Sequence, residues 1–352
     1  MDFALNPNPE FTKWVVNAGL LAETFVLIDV GVQGGETIRW GPLGNYLTVH
    51  GFDPIVEVID ELKQKNAARP NRHYHCLAVG NADREEPFYY NAANPTASSL
   101  YQQAPSRYDI EISEQVRMVS MRRLDSLFAE GLIPKADFVK VDVEGHEKDV
   151  LLGARDLFQA GVLGMHTETN FSVSPHYPKS HFVTMAEFAL DNHLLVFDLA
   201  FDRAPRASFQ RALIRKGLKP IVDHNEIGKP TTVDVLFCRD LIDEVDHQDN
   251  YVTASRATTI DQIIKTMIIC ELHSLNDIAL DTAERFADRL GARFDVDRAV
   301  WLLADPDMRP NEYSEYRRRI RAYEQSTSWR ITAPLRWIKP MLVGGGHSQP
   351  PP

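Results

Sequence analysis

Cysteine is scarce: three occur among 352 residues (Cys76, Cys238 and Cys270), widely spaced and odd in number. That excludes a disulfide framework and a CxxC zinc site, and it fits a reducing compartment. Basic charge is also short. Lysine and arginine total 38 against 49 aspartate and glutamate, a formal net charge of −11. A dedicated nucleic-acid binder needs a basic surface to displace counterions from phosphates, so no nucleic-acid partner is expected. No apolar run approaches the ~18 residues needed to span a bilayer, and the amino-terminal residues lack a basic-then-apolar signal pattern. The remaining composition, 44% hydrophobic and 25% charged, is that of a folded globular chain. The expected setting is cytoplasmic.

What is present is a series of short apolar runs. Phe25–Val30 (FVLIDV), Thr48–Phe52, His73–Val79, Asp137–Val143, Val162–Glu168 and Leu194–Phe201 read as strands. Helical spacing lies between several of them, as in Ile55–Asn66, Glu147–Ala160 and His181–Asn192. Such alternation predicts an α/β fold, a parallel sheet with helices on both faces. Thr232–Cys238 adds a last strand. Residues 81–118 break the alternation with polar, irregular text, as a ligand-bearing insertion does. Beyond about residue 240 the spacing is helical without strands. The expected plan is a main domain over 1–240, a C-terminal α-helical appendage over 241–340 and a disordered tail over 341–352.

The first strand ends in Asp29-Val-Gly31-Val-Gln-Gly34-Gly35. Glycines there let backbone amides approach a ligand closely. Asp53 follows the second strand, where doubly wound folds place an acid that accepts hydrogen bonds from ribose hydroxyls. Together they describe a nucleoside site; a tight turn with a helix-capping aspartate is the plainer alternative. A dinucleotide fingerprint reads G-x-G-x-x-G, whereas this turn reads G-x-x-G-G with an acid before it, which would repel a pyrophosphate. S-adenosylmethionine carries a cationic sulfonium and ammonium and no phosphate. The acidic turn favours it over NAD.

Phe138-Val-Lys140-Val-Asp142-Val-Glu144-Gly145-His146-Glu147 crowds charge at the end of a buried strand, where open α/β sheets hold their active sites. A hydroxyl acceptor benefits from a base as it attacks a methyl group. Glu144 and His146 are the candidate bases, and Asp142 suits the cofactor's ammonium or the orientation of a neighbour. A solvated helix N-terminus would account for Glu147 but poorly for the full cluster. A second polar cluster (His166, Glu168, Asn170, Ser172, His176, Tyr177, Lys179, His181) follows the fifth strand. Glu168, Asn170, His176, Tyr177 and Lys179 are expected to touch substrate. The spacing His176-x4-His181 is not a ligand pattern, so no metal is expected.

At these residues the chain resembles the FkbM family of S-adenosylmethionine-dependent O-methyltransferases. The resemblance rests on IDVGVQGGET at 28–37, GFDP at 51–54, SSL at 98–100, VSMRRLDSL at 119–127 and DFVKVDVEGHEKDVLLGA at 137–154. It departs at Val32-Gln33, where Ala-Asn is commoner, at Thr37, and at Asp53-Pro54 in place of Glu-Pro. It implies a class I methyltransferase fold: a Rossmann-like, mostly parallel seven-stranded sheet whose final strand, Thr232–Cys238, runs antiparallel between its neighbours. It also implies S-adenosyl-L-methionine as cofactor. Asp29, Gly31 and Gly35 would face the methionine moiety, Asp53 the ribose, and Asp142 and Glu144 the active-site edge. Gln33 and Ala78 complete the expected cofactor contacts.

Near the carboxyl end, SWRITAPLR (328–336) resembles a short terminal motif of bacterial enzymes of surface-polysaccharide assembly. Residues 309–340 hold eight Lys/Arg and three Asp/Glu, a local excess of five positive charges, with Trp329, Leu335, Trp337 and Ile338 between them. This is the composition of an interfacial segment able to make peripheral contact with the inner membrane or a polysaccharide-assembly partner. A docked helix with a solvated basic face is the alternative. The expected function is O-methylation of a sugar hydroxyl in a surface glycan or glycolipid precursor. Methylation of a secondary metabolite or lipid hydroxyl, an NAD-binding Rossmann oxidoreductase and a non-catalytic scaffold are its rivals.

Overall fold

Six consecutive apolar-rich residues, Phe25–Val30, form strand β1, buried along its whole length. Both its faces are covered, as a parallel strand inside an α/β sheet requires. The computed structural model describes residues 3–102, 114–171, 180–204, 212–218, 228–246 and 258–304. His176, Tyr177, Lys179, the 309–340 segment and the tail lie outside these residues.

The chain continues through a 3-10 segment (Ile38–Tyr46), β2 (Leu47–Asp53), α2 (Val56–Lys65) and β3 (Arg72–Cys76), with α1 (Glu10–Asn17) before β1. Then come β4 (Ala78–Val79), β5 (Arg84–Asn91), β6 (Glu114–Arg122), α3 (Leu124–Ala129), β7 (Phe138–Val141), α4 (Glu147–Leu152) and α5 (Arg155–Gln159). Finally β8 (Gly164–Asn170), α6 (Phe182–Asp191), β9 (Leu195–Ala204) and β10 (Lys229–Cys238) precede a group of helices. Seven strands form one sheet in the order β3-β2-β1-β7-β8-β10-β9. The strands run parallel except β10, which is antiparallel to both β8 and β9. This is the class I methyltransferase arrangement, with the reversed strand where the family resemblance put it.

Alternation sorts the two faces. Ile28, Val30, Val139, Val141, Met165, Val235 and Phe237 meet α3 to α6 through Leu124, Val150, Leu157, Phe158 and Met185 in one buried cluster. On the opposite face, Trp40 packs on Phe25 and Phe138 at ring-centroid distances of 5.2 and 4.9 Å, and His273 stacks on Phe138.

Residues up to Leu303 form one compact unit, and its later helices are built into the sheet's underside. Helix Ile260–Leu272 begins with a capping box, Thr259 and Gln262 serving each other's backbone amides. Helix α1 has no local side-chain cap. Glu271, some 260 positions away, accepts from the amides of Phe11 and Thr12 and from the Thr12 hydroxyl at 2.9, 2.7 and 2.6 Å. Lys265 reaches Asp137, just before β7, at 2.8 Å, and both side chains are buried. Asp137 also accepts from the Val26 amide.

Three expectations are revised. The polar stretch 81–118 holds real strands: β5 and β6 pair antiparallel and, with β4, form a three-stranded sheet. Their period was hidden because β6 carries apolar residues on both faces, Val119 and Met121 buried but Val116 and Met118 exposed. The run His73–Val79 is likewise two strands in two sheets. The helix expected over 147–160 breaks at Gly153, whose absent Cβ would lie 2.0 Å from the Gly80 carbonyl oxygen. No side chain fits so close an approach of two backbones.

Breaking a buried ion pair from one side leaves an uncompensated charge. Lys265→Met is expected to lower unfolding free energy by about 3–5 kcal/mol in chemical denaturation, and adding Asp137→Asn should restore part of it.

Candidate active site

The carboxyl ends of β1, β2 and β7 surround a cleft partly open to solvent, and concave sites at such strand ends are where small molecules bind. Its floor begins with Gly31. That residue has φ +83°, its amide donates to the Phe52 carbonyl at 2.9 Å, and a Cβ there would lie 1.8 Å from the Asp142 carbonyl oxygen. The turn after β1 is thus pressed onto the end of β7, a contact open only to glycine.

Charge is organised around Lys140. Alternation along β7 turns Lys140 to the same face as Asp29, its register partner on β1. Its ammonium lies 3.1 Å from an Asp142 oxygen and 3.7 Å from Asp29 Oδ1. Burial opposes that ammonium, but the carboxylates of Asp29 and then Asp142 hold its pKa well above the ordinary lysine value. Burial likewise opposes ionised Asp142, yet Lys140 keeps it below the usual carboxylate range. Asp29 is different. Only 2% exposed, it is pushed up to about 6 by burial, which Lys140 only partly offsets. Its Oδ1 has no hydrogen-bond partner.

Asp53 ends β2. One of its oxygens accepts from the Ile55 amide at 2.8 Å. Burial pushes its carboxyl up to about 6, the Ile55 amide opposing and Asp29 adding. Past β7 the chain turns through Glu144 and Gly145, at φ +54° and +101°. Buried Glu147 ties this turn by accepting from the Gly145 amide at 2.9 Å. The insertion supplies the far wall: Ser99 Oγ donates to the Glu144 carbonyl at 2.9 Å, and Phe88, Pro95, Thr96, Ser98 and Leu100 line the cleft.

Of the residues singled out in the sequence, Gly31, Gln33, Asp53, Ala78, Asp142, Glu144 and His146 line this cleft. Asp29 and Gly35 are not among its lining residues. His146 is buried, with Tyr101 against its ring and Nδ1 3.4 Å from Asp149. Asp149 itself accepts from Asn81 and Tyr101. Glu168, half-buried on β8, is pushed up to about 8 by burial and then by Asp142, Glu144, Asp234 and Glu147. Asn170 is engaged within the chain, its side-chain amide donating to the Ser180 carbonyl at 3.3 Å.

Sequence reasoning passed over Lys140 and Asp234. The signal for Lys140 was its alternation with Val139 and Val141: a lysine sharing the buried face of Phe138 needs carboxylate partners. Asp234 receives His166 at 2.9 Å across β8 and β10, a pairing that only the reversed strand creates. Among the described residues no group of three or more His, Cys, Asp or Glu is placed to hold a metal ion.

Residues 29–186 match the family model of the methyltransferase FkbM domain. The matched stretch is somewhat less than half of the chain. Among curated proteins nothing matches the chain. The FkbM methyltransferase of Methylobacillus flagellatus KT aligns at 12% identity and TM-score 0.36 over 64% of this chain and 47% of its own, so the match spans about half of that relative. The precorrin-6y C5,15-methyltransferase of Geobacter metallireducens GS-15 aligns at 9% and 0.30, over 67% and 94%. Aeropyrum pernix fibrillarin, solved with S-adenosyl-L-methionine, aligns at 10% and 0.31, over 64% and 72%. These likenesses are loose, and the strand order itself carries the fold assignment.

A methyltransferase of this kind implies S-adenosylmethionine, and the residues of the cleft fit it. The Asp29 oxygen, which faces Lys140 at 3.7 Å but accepts no hydrogen bond, and the Asp142 carboxylate suit an ammonium, the Gly31 contact brings bare backbone to the floor, and Asp53 suits a ribose diol. Asp29 must ionise to serve the ammonium, and Asp53 accepts from ribose hydroxyls best when ionised, so cofactor affinity should fall as pH drops through about 6. Calorimetric titration with S-adenosylhomocysteine between about pH 7 and pH 5 should show that loss. Asp53→Ala should weaken binding about 10- to 100-fold at neutral pH, the worth of charge-assisted hydrogen bonds.

Proposed function

We propose that this methyltransferase uses S-adenosylmethionine to methylate a hydroxyl group, and that the hydroxyl belongs to a sugar of a cell-surface glycan or glycolipid precursor. The observation that carries the cofactor assignment is the placement of two buried carboxyl groups, Asp29 and Asp53, around the side-chain-free Gly31 turn. A pyrophosphate would meet negative charge there, whereas a sulfonium and an ammonium meet complementary charge. The NAD-dependent alternative is disfavoured on the same ground.

Bound in the cleft, the cofactor would supply an electrophilic methyl group. The chain's own residues do the rest. Asp142 and the buried Asp29 hold positive charge at the edge of β7, Asp53 takes the ribose, and Gln33 and Ala78 contribute further walls of the cleft. The insertion residues from Phe88 to Leu100 narrow access and exclude water, so that transfer proceeds by positioning.

The acceptor side is also acidic. Asp142, Glu144 and Asp234 all act on Glu168 there, and Lys140 is committed to Asp29 and Asp142. A phosphorylated or carboxylated reacting end would be repelled, while an uncharged polyol is not. The SWRITAPLR segment at 328–336 supports a surface-glycan context through its resemblance to polysaccharide-assembly enzymes.

Incubation with S-adenosylmethionine labelled in its methyl group, against a panel of neutral glycans, phosphorylated sugars, lipids and nucleic acid, tests this reading. Label is expected on a neutral sugar hydroxyl. Label confined to protein, nucleic acid or a phosphorylated acceptor contradicts it.

A further inference from the structure

We propose that Glu168 takes the proton of the acceptor hydroxyl during methyl transfer, with Asp234, its register partner on the reversed strand, among the acids that surround it. The inference rests on the methyltransferase reading above and adds to it the identity of the base.

Glu168 stands on the strand next to the cleft, level with Asp142, which lines it. Val141 pairs with Thr167 at the end of β7, so Asp142 and Glu168 stand at the same level of the sheet. Along β8, Met165, Thr167 and Thr169 are buried while His166 and Glu168 are partly exposed, which turns these two side chains to the face that carries Lys140. Asp234 of the reversed strand is the direct register partner of Glu168. Its side chain is held by His166 Nε2 at 2.9 Å, which fixes it opposite Glu168.

The other acidic and basic groups at this edge are less suited. Lys140 keeps Asp142 ionised and therefore a weak base. His146 is turned toward Asp149 and packed under Tyr101. Glu144 and Glu147 from the turn after β7, Asp142 beside them and Asp234 from β10 all raise the proton affinity of Glu168, burial being the larger cause. A general base is most effective when its pKa lies near the working pH, and environment rather than residue type sets that match.

In the step itself, the acceptor oxygen bonds to the methyl carbon as the carbon–sulfur bond breaks and sulfur keeps that electron pair. The hydroxyl proton passes to a Glu168 carboxylate oxygen. An ether, a neutral thioether and a protonated glutamic acid result, so the positive charge of the donor is cancelled against the carboxylate.

Carboxyl-carbon NMR of glutamate-labelled, ligand-free protein reads the group directly. A resonance titrating near pH 8 is expected, absent in Glu168→Gln and moved to lower pH in Asp234→Asn. Glu168→Gln should bind S-adenosylhomocysteine as the wild type does, yet transfer methyl about 10²- to 10⁴-fold more slowly. The alkaline rise of the wild-type rate should move to lower pH in Asp234→Asn. A glutamate spectrum with no such resonance, an undiminished rate in Glu168→Gln, or a loss found in Glu144→Gln instead, overturns the assignment of the base. A wild-type protein that binds the thioether product but methylates no hydroxyl overturns the methyltransferase reading with it.

Discussion

One ammonium group organises this site. Lys140 sits inside a buried strand, where a lone cation would be costly, and the fold answers with Asp29 from β1 and Asp142 from its own strand end. The three charges do not cancel: two carboxylates face one ammonium. Burial holds Asp29 above the ordinary aspartate value, and Lys140 only partly offsets it. A cavity edge with unbalanced negative charge at low dielectric is a place for a cation. The Gly31 turn, locked by its contact with the Asp142 backbone, brings that edge to the cleft with no side chain between. Replacing the lysine would leave the acids to protonate, and the preference for a positively charged ligand would go with them.

The sheet that holds these groups was largely legible in the sequence. FVLIDV ending at Gly31 and FVKV ending at Asp142 are short apolar runs that stop at polar edges, and parallel strands have that form because helices cover both faces. The reversed last strand came from resemblance, since Thr232–Cys238 carries no local mark of its direction. What stayed hidden depended on pairings across distance. The β5–β6 pair escaped notice because exposed Val116 and Met118 erased the period-two alternation. The role of the later helices escaped because Lys265 and Glu271 look like ordinary surface charges until Asp137 and the start of α1 are found beneath them.

The site was legible to a similar depth and for the same reasons. Residues adjacent to a strand end, such as Asp53, Asp142 and Glu144, are marked by position alone, and they line the cleft. Residues farther along are not. Asn170 is spent on the chain's own entry into α6, a use that its polar neighbourhood did not reveal. Lys140 was overlooked because a charged residue in the middle of a strand reads as solvent-facing until both faces are known to be covered. The acid-rich edge gains its character only when β8 and β10 bring Glu168 and Asp234 opposite each other.

The central claim is that surplus negative charge at the joined ends of β1, β2 and β7 selects a cationic sulfur nucleoside over a dinucleotide. Calorimetric titration of the purified full chain with S-adenosylmethionine and, separately, with NADH at neutral pH tests it most directly. Saturable one-to-one binding of the sulfonium compound with no heat from NADH is the predicted result. Saturable binding of NADH, with S-adenosylmethionine silent, would contradict the account at its foundation.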